Sequence, residues 1–451
     1  MPEAEGVRSA EMANRLEAIS GSRSPKSLPF VDAHCHILPA GLDLLKLNLS
    51  PLDTREAVLD AVRDARKKAE GWLHAVQYDQ TKYGNVHLTR NDLDAVDAER
   101  PILLRHSNGH ASVANSAALR SAGVSESEAD PPGGEFRRDA DGRIDGVLLE
   151  TAHERVTAAS PRPTREGMVE AILRAGRSMA DFGIVAAADM MTGRFDLADE
   201  VWAYEEAAKR GNPIETRLWV QWSEWYRQDR PEIDLSRVSG LKLFADGAIG
   251  SASAAMSEPY ASDPTNYGTL IYEPDELRRR IQKAAEDGWR VAVHAIGDRA
   301  SALVLDCFAN TPDPLRHRLE HAMLPDAPQI AKMAKLQCEV GFQPEFLMRF
   351  GHAYRRQLGP ERTWRLKPAQ SLLEAGVRLS FASDRPIVPG DPMDGIRTAV
   401  RRPEGFDPGE NIDEATARRL YSEDAARAMG LGRFEDLDRP DLGLVRGSFP
   451  E

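Results

Sequence analysis

The chain has 451 residues, of which 41% are apolar and 29% charged, a composition that suits one large globular domain and excludes disordered and collagen-like chains. Its formal net charge of −13, without a dense basic run, argues against nucleic acid as a partner. Three scattered cysteines exclude a disulfide framework, and the lack of a signal-like start or a long apolar run predicts a cytoplasmic protein that does not bind membranes.

The first 28 residues are predicted to form a short helix over 8–20 and a linker at 21–25. One domain is expected to occupy residues 29–451. Within it, short β-rich runs alternate with helical patterns, which predicts an α/β fold, a (β/α)₈ TIM barrel with a parallel sheet. The eight candidate strands are 30–36, 184–190, 216–222, 240–245, 290–295, 318–322, 338–342 and 378–383.

A large insertion follows the first candidate strand, because far more residues precede the second strand than one crossover helix needs. Residues 50–180 are therefore predicted to form a lid over one barrel end, with a strand-like run at 101–105 and a Pro-Pro-Gly-Gly turn at 131–134. Later helices are expected to end at glycines. They are 275–287, 369–375 and about 413–429, the last within a C-terminal helical segment, 411–451.

The first candidate strand ends in the run Asp32-Ala33-His34-Cys35-His36. Residues i and i+2 of a strand face the same side, so His34 and His36 are predicted to point into the barrel. Alone the motif is weak, because the 11 histidines would give roughly 0.3 such pairs by chance. Two histidines on a solvent-facing strand are the alternative.

Four later strands also end in residues that bind metals or substrates. They are Lys242 on strand four, His294 on strand five, His321 on strand six and Asp384 on strand eight. In a barrel the carboxyl ends of all strands converge on one face, where distant residues can surround a metal. Imidazole and carboxylate ligands suit Zn²⁺, with Mn²⁺ or Fe²⁺ as alternatives.

Several longer runs accompany these strand ends. They are 105–119, 131–134, 146–150, 244–250 and 384–392. Together with the strand-end residues they resemble the amidohydrolase superfamily, specifically the amidohydrolase-3 branch of metal-dependent hydrolases, which includes YtcJ-like proteins and N-substituted formamide deformylase. The resemblance covers residues 30 to about 430.

The resemblance implies that one or two divalent metals are held by His34, His36, His294, His321 and Asp384. It also implies a carboxylated lysine that bridges two ions, for which Lys242 is the candidate. Such a carbamate needs a neutral amine, which burial supplies by lowering the lysine pKa. The alternatives are a Lys242 ammonium that pairs with Asp246 or substrate, and Glu150 as a second acidic ligand.

The chain also departs from the family. Many relatives carry a small β-sandwich made from both chain ends, which is expected to be reduced or absent here. That difference leaves open the contacts of any homo-oligomer. Asn108 stands where relatives commonly have aspartate, and the basic Arg385 directly follows Asp384.

These residues predict hydrolysis of a non-peptide, amide-like carbon–nitrogen bond in a small molecule. Asp384 is expected to act as general acid and base, and His110 to contact substrate or its developing oxyanion. Asn108, Asp246 and Arg385 are the candidate substrate contacts. A carboxylate-bearing N-acyl or cyclic amide would suit Arg385, unless that arginine pairs internally with an aspartate at 391 or 394.

Two other functions stay open at this point. The same centre could serve a lactonase, an esterase or a deaminase, because activated water does not choose the bond. An inert barrel with a binding or regulatory role is the other alternative, although the full set of ligand residues argues against it.

Overall fold

The structure is a computed structural model that describes residues 29–107, 109, 111–131 and 133–431. Its strands, in chain order, are β1 (Phe30–Cys35), β2 (Leu47–Asn48), β3 (Leu73–Tyr78), β4 (Ile102–His106), β5 (Ala111–Ala114), β6 (Gly134–Arg138), β7 (Ile144–Glu150), β8 (Ile184–Thr192), β9 (Glu215–Gln221), β10 (Val238–Phe244), β11 (Val291–Ala295), β12 (Arg318–His321), β13 (Glu339–Phe342) and β14 (Arg378–Phe381). They form one sheet of eight strands and one of six.

The helices accompany the strands along the chain. They are α1 (Ile37–Leu44), α2 (Arg55–Arg66), α3 (Arg90–Asp94), α4 (Ser116–Ser121), α5 (Thr151–Ala158), α6 (Arg165–Asp181), α7 (Leu197–Lys209), α8 (Trp222–Trp225), α9 (Pro274–Glu286), α10 (Asp298–Ala309), α11 (Ala327–Leu336), α12 (Glu345–Trp364), α13 (Ala369–Glu374), α14 (Pro392–Val400), α15 (Glu414–Leu420) and α16 (Glu423–Met429). None of these described helices is both long and apolar enough to cross a membrane.

The eight-stranded sheet has the order β1-β8-β9-β10-β11-β12-β13-β14 and is parallel from β10 to β14. Its two edge strands are linked, because the segment after β14 donates from Ser383 N to Asp32 Oδ1 (3.0 Å) and from Asp384 N to the His34 carbonyl (2.7 Å). The sheet is therefore a nearly closed (β/α)₈ barrel, and all eight predicted strands are confirmed within two residues at either end.

Contacts divide the chain into two compact units. The first comprises the described residues of 1–35, 179–188 and 239–451. Its strands read as nearly continuous apolar runs, as in β11, where Val291, Ala292 and Val293 are all fully buried. Such runs are typical of parallel strands covered on both faces, and they explain why the strands are visible in the sequence.

The second unit comprises residues 36–178 and 189–238 and contains the six-stranded sheet, of order β2-β3-β4-β5-β7-β6. β2, β3 and β4 pair in parallel, whereas β5, β7 and β6 pair antiparallel. The run at 101–105 is confirmed as β4, and a turn is closed by a hydrogen bond from Gly134 N to the Pro131 carbonyl (3.0 Å). That 50–180 forms a lid stays a prediction.

Two of the predicted helices are confirmed as α9 and α13, which are followed by Gly288 and Gly376 with φ of 82° and 76°. The single helix predicted at 413–429 is wrong, because it is broken into α15 and α16. The break frees the carbonyl of Tyr421, which accepts a hydrogen bond from Val31 N of β1 (2.7 Å). A tertiary contact of this kind leaves no mark on helical periodicity.

Some predictions fall on parts of the chain outside the described residues. These are the helix at 8–20, the linker at 21–25 and the tail at 432–451. The reduced β-sandwich was expected at the same chain ends, so it stays a prediction.

Candidate metal centre

A cluster of potential metal ligands forms where β1 and β14 end. One ligand atom each from His34, His36 and Asp384 lie within 4.8 Å of one another. His34 is the fifth residue of β1, and His36 directly follows the strand as N-cap of α1. Asp384 comes three residues after β14 and is 7% exposed. Two predicted ligands of the first strand and the predicted acid–base residue are thus brought together.

The ring of His34 is oriented by a buried ion pair. Its Nδ1 lies 2.7 Å from Glu320 Oε2, and Arg318 Nε donates to Glu320 Oε1 at 2.7 Å. All three side chains are at most 1% exposed. Gly341 makes this packing possible, since a Cβ there would lie 2.0 Å from Glu320 Oε2. A carboxylate can only accept, so Nδ1 carries the proton and Nε2 faces Asp384 Oδ1 at 3.4 Å.

His294 on β11 is oriented by a main-chain acceptor. Its Nε2 lies 3.0 Å from the Gly247 carbonyl and 3.6 Å from Asp246 Oδ1. Burial, together with the positive charge of Lys242, lowers the pKa of His294 to about 4. The ring is therefore neutral at pH 7, with Nε2 as donor and a lone pair on Nδ1.

His321 ends β12 and is 1% exposed. Its Nδ1 lies 2.9 Å from Oε1 of Gln343. The ring centroid is 4.5 Å from that of His294 and 5.0 Å from that of His34. Burial lowers the pKa of His321, and the nearby histidine rings and Lys242 add to this effect. Three imidazoles are therefore gathered within one small volume, and burial favours the neutral form of His294 and His321.

The backbone places the carboxylate of Asp384 beside these rings. Asp384 has a φ of 61°, a left-handed conformation that few non-glycine residues adopt. It is held by the hydrogen bond from its own N–H to the His34 carbonyl, and Asp32 accepts from both N and Oγ of the preceding Ser383. Burial raises the pKa of Asp32 to about 6. The rare conformation is thus fixed by contacts with β1.

Lys242 on β10 is 2% exposed, and its Nζ has no hydrogen-bond partner among the described residues. Burial lowers its pKa to about 8, and the same ammonium lies 5.0 Å from the Phe244 ring. A buried amine without an acceptor is costly unless a further group satisfies it. Together with three imidazoles and a carboxylate, this donor set fits a divalent metal such as Zn²⁺.

Asp246 is not in an ion pair with Lys242 in the described structure, so that alternative is not supported. Its carboxylate is 1% exposed and accepts from the backbone N–H groups of Ala255 (2.9 Å), Ile296 (3.0 Å) and Gly297 (2.7 Å). These contacts tie the segment after β10 to the end of β11. They favour an anchoring role for Asp246, and contact with substrate stays a prediction.

Arg385 is 7% exposed, and its guanidinium carbon lies 5.9 Å from the Phe182 ring centroid. Burial lowers its pKa. Asp394, one of its two predicted internal partners, pairs with Arg349 (3.1 Å) and with Arg397. This burial favours an internal role for Arg385, and its contact with an acidic substrate stays a prediction.

Three predicted residues belong to the insertion. Asn108 and His110 lie outside the described residues. Glu150 ends β7 in the second unit, is exposed and has a φ of 49°. Its role as a ligand stays a prediction.

The residues that orient the histidines were not predicted from the sequence. Glu320, Gln343 and Lys367 are all fully buried, and the last two are connected to His321. A signal was present for Gln343, because it directly follows β13, the one late strand to which no chemistry was assigned. Lys367 lies between α12 and α13 and carries no sequence signal of this kind.

A barrel with histidines and an aspartate at the carboxyl ends of its strands is the architecture of metal-dependent hydrolases. The chain belongs to the amidohydrolase family, which matches residues 29–433. It is thus an enzyme of the metal-dependent amidohydrolase class.

The relatives agree with this class. The chain is 32% identical to YtcJ of Bacillus subtilis (strain 168), a protein named as an amidohydrolase, over 88% of this chain and 78% of that protein. It is 28% identical to N-substituted formamide deformylase of Arthrobacter pascens, over 90% and 80%. Two solved metal-dependent hydrolases, from Pyrococcus horikoshii and Pyrococcus furiosus, are each 26% identical, with TM-scores of 0.74 and 0.76. They cover 90% and 94% of this chain, which covers 83% and 89% of them.

Proposed function

We propose that the protein hydrolyses an amide-like carbon–nitrogen bond, other than a peptide bond, in a small molecule. The observation that carries this proposal is the cluster of His34, His36 and Asp384, whose ligand atoms lie within 4.8 Å of one another. The name of the Arthrobacter relative supports the bond type, since a formamide contains an amide carbon–nitrogen bond.

The proposed ligands of one or two divalent ions are His34, His36, His294, His321 and Asp384. Zn²⁺ suits this set best, with Mn²⁺ or Fe²⁺ as alternatives. When bound, such an ion makes water a better nucleophile near neutral pH and polarises the carbonyl that is attacked. The protein's contribution is to hold each imidazole in one tautomer, through Glu320, the Gly247 carbonyl and Gln343.

Asp384 is proposed to move the proton. Its carboxylate takes a proton from the attacking water, and it then delivers that proton to the leaving nitrogen, so that an acid and an amine are formed. The backbone contact to His34 and the restrained φ of Asp384 keep this carboxylate at the cluster throughout.

Lys242 is proposed to carry a carbamate that completes the site, formed when its neutral amine adds to CO₂ and releases a proton. The proposal rests on its burial and on the lack of a hydrogen-bond acceptor for Nζ among the described residues. A carbamate replaces an unsatisfied cation with an anion whose oxygens can bind two ions. The Lys242→Ala variant should lose activity, and short carboxylic acids such as acetate should restore part of it. Restoration in Asp384→Asn as well would show that the acid is not replacing the lysine.

The bond type can be tested with an amide and an activated ester that share one acyl group. Asp384→Asn should lower kcat for the amide by roughly 10²- to 10⁴-fold, the usual range for a general acid or base. The ester should be less affected, since its leaving group departs without a proton. Asp391→Asn is the matched control, because Asp391 caps α14 and asparagine caps equally well.

Metal content has to be measured in each variant, so that loss of metal is not mistaken for loss of proton transfer. Equal losses for amide and ester, with metal retained, would contradict the role of Asp384 as the acid that protonates the leaving nitrogen. Hydrolysis of the ester alone by the wild-type protein would favour an esterase or lactonase. A metal-loaded protein that cleaves neither would favour the inert barrel.

A further inference from the structure

Behind His321 lies a second pair of buried side chains, Gln343 and Lys367, both fully buried. Gln343 Oε1 lies 2.9 Å from His321 Nδ1 and 3.2 Å from Lys367 Nζ. Lys367 Nζ also donates to the His321 carbonyl at 3.0 Å and lies 4.2 Å from the Phe342 ring centroid. One amide oxygen thus faces both a lysine and an imidazole.

The chemistry of these groups fixes which amide atom faces inward. Burial lowers the pKa of Lys367, whereas the nearby carboxylates of Asp384 and Glu320 raise it. As an ammonium, or as an amine that donates to both the His321 carbonyl and Gln343, Nζ faces the oxygen of the Gln343 amide. The carbonyl of His321 and the faces of the Phe342 and Phe346 rings also favour a hydrogen-bond donor at this position. Because the same oxygen faces His321 Nδ1, that nitrogen must carry the proton, and the lone pair of the ring is then on Nε2.

His321 depends more than the other two histidines on a neighbour that fixes the orientation of its hydrogen-bond partner. Glu320 and the Gly247 carbonyl can only accept, so His34 and His294 each have one possible tautomer. A glutamine amide offers both a carbonyl and an NH₂ group, and a rotated amide would donate to Nδ1 and place the proton on Nε2. A protonated Nε2 cannot bind a metal.

Lys367 also holds the backbone on which His321 stands. His321 and Ala322 have positive φ values of 78° and 41°, and Lys367 N donates to the next carbonyl, that of Met323, at 2.7 Å. Arg402 Nη1 in turn donates to the Lys367 carbonyl at 2.6 Å. The lysine is therefore fixed at both its main chain and its Nζ.

We propose that Lys367 is a positioning residue of the metal centre: it fixes the orientation of the Gln343 amide and so holds His321 in the tautomer whose Nε2 binds metal. This inference rests on the proposed function, in which His321 is a metal ligand.

A double-mutant cycle on the full chain tests it, with Zn²⁺ affinity measured by competition with a chelator. Lys367→Met should weaken Zn²⁺ binding about 10-fold, within the usual 10- to 100-fold range for a residue behind a ligand. In the Gln343→Glu background the same change should alter affinity less than about 3-fold, because a carboxylate has no donor to present to His321. Gln357→Met, at a buried glutamine that contacts Ser262 and Gly250, is the control and should bind Zn²⁺ normally.

Loss of amide orientation and loss of positive charge in Lys367→Met should change Zn²⁺ affinity in opposite directions, so the measurement separates them. If Lys367 acted only through its charge, its removal would strengthen cation binding in both backgrounds. Stronger or unchanged binding in Lys367→Met, or equal losses in both backgrounds, would overturn the inference. His321→Ala separates this failure from that of the proposed function, because retention of Zn²⁺ in that variant would show that His321 is not a ligand.

A second measurement does not depend on any variant being folded. The ¹⁵N shifts of the His321 ring in the metal-free wild-type protein report its tautomer. A proton on Nδ1 is the result expected. A proton on Nε2 would overturn the inference.

Discussion

Two buried histidines stand at opposite ends of strand β12. His317 directly precedes the strand and is 2% exposed, and His321 ends it and is 1% exposed. Burial lowers the pKa of both. They differ in their partners, since His317 Nδ1 accepts from the backbone N–H of Val291 (3.2 Å), whereas His321 Nδ1 faces the side-chain oxygen of Gln343.

The comparison shows that burial alone does not define a ligand. The ring of His317 packs 5.1 Å from that of Phe308, within the apolar layer of the barrel. The ring of His321 lies beside two more imidazoles, and its Nδ1 is oriented by Gln343. A histidine suited to bind a metal has one ring nitrogen engaged by an orienting partner. Its other ring nitrogen is unprotonated and points towards the other candidate metal-binding atoms.

The largest expected effect is a difference between alanine variants of the two histidines. His321→Ala should weaken Zn²⁺ binding by more than about 100-fold, because it removes a proposed direct ligand. His317→Ala should leave Zn²⁺ binding unchanged and lower the free energy of unfolding by about 1–3 kcal/mol, since Val291 N–H loses its acceptor. Chelator competition and urea unfolding measure the two quantities. Zn²⁺ loss in both variants to the same extent would remove the distinction.

A smaller effect concerns stability at acidic pH. Burial lowers the pKa of His317 from the ordinary histidine value of 6.5, which applies to the unfolded chain, to about 4 in the folded protein. The unfolded chain therefore binds the proton more tightly. The stability that depends on neutral His317 is therefore present above pH 6.5 and is lost as the pH falls from 6.5 towards 4, by up to roughly 3 kcal/mol.

His317→Asn should reduce this loss, since the asparagine oxygen can accept from Val291 N–H without titrating. The measurement is urea unfolding of metal-free wild-type and variant proteins at pH 7 and pH 5, where the variant should show the smaller decrease. An identical decrease in both proteins would mean that His317 is not the group that titrates.

The sequence predicted the barrel better than it predicted the insertion. Parallel strands buried on both faces, such as β11, are short apolar runs that end in conspicuous polar residues. The six-stranded sheet was not predicted, because strands such as β2, of two residues, and β6, which is Gly-Glu-Phe-Arg-Arg, lack a clear apolar pattern. Their pairing depends on contacts distant in the sequence.

The same division holds within the site. His34, His36 and Asp384 were predicted together, because the positions of strand ends follow from the strands themselves. Glu320, Gln343 and Lys367 were not, because each acts through one histidine and only the folded structure shows which one. Lys367 lies 46 residues beyond the carbonyl that it contacts.

The most direct test of the metal centre is anomalous diffraction at the zinc edge from crystals grown with Zn²⁺. The proposed function predicts one or two peaks about 2.0–2.2 Å from imidazole nitrogens and the Asp384 carboxylate, with His321 bound through Nε2. It also predicts continuous density from Lys242 Nζ to a carbamate. The absence of any peak among His34, His36, His294, His321 and Asp384 under these conditions would contradict it.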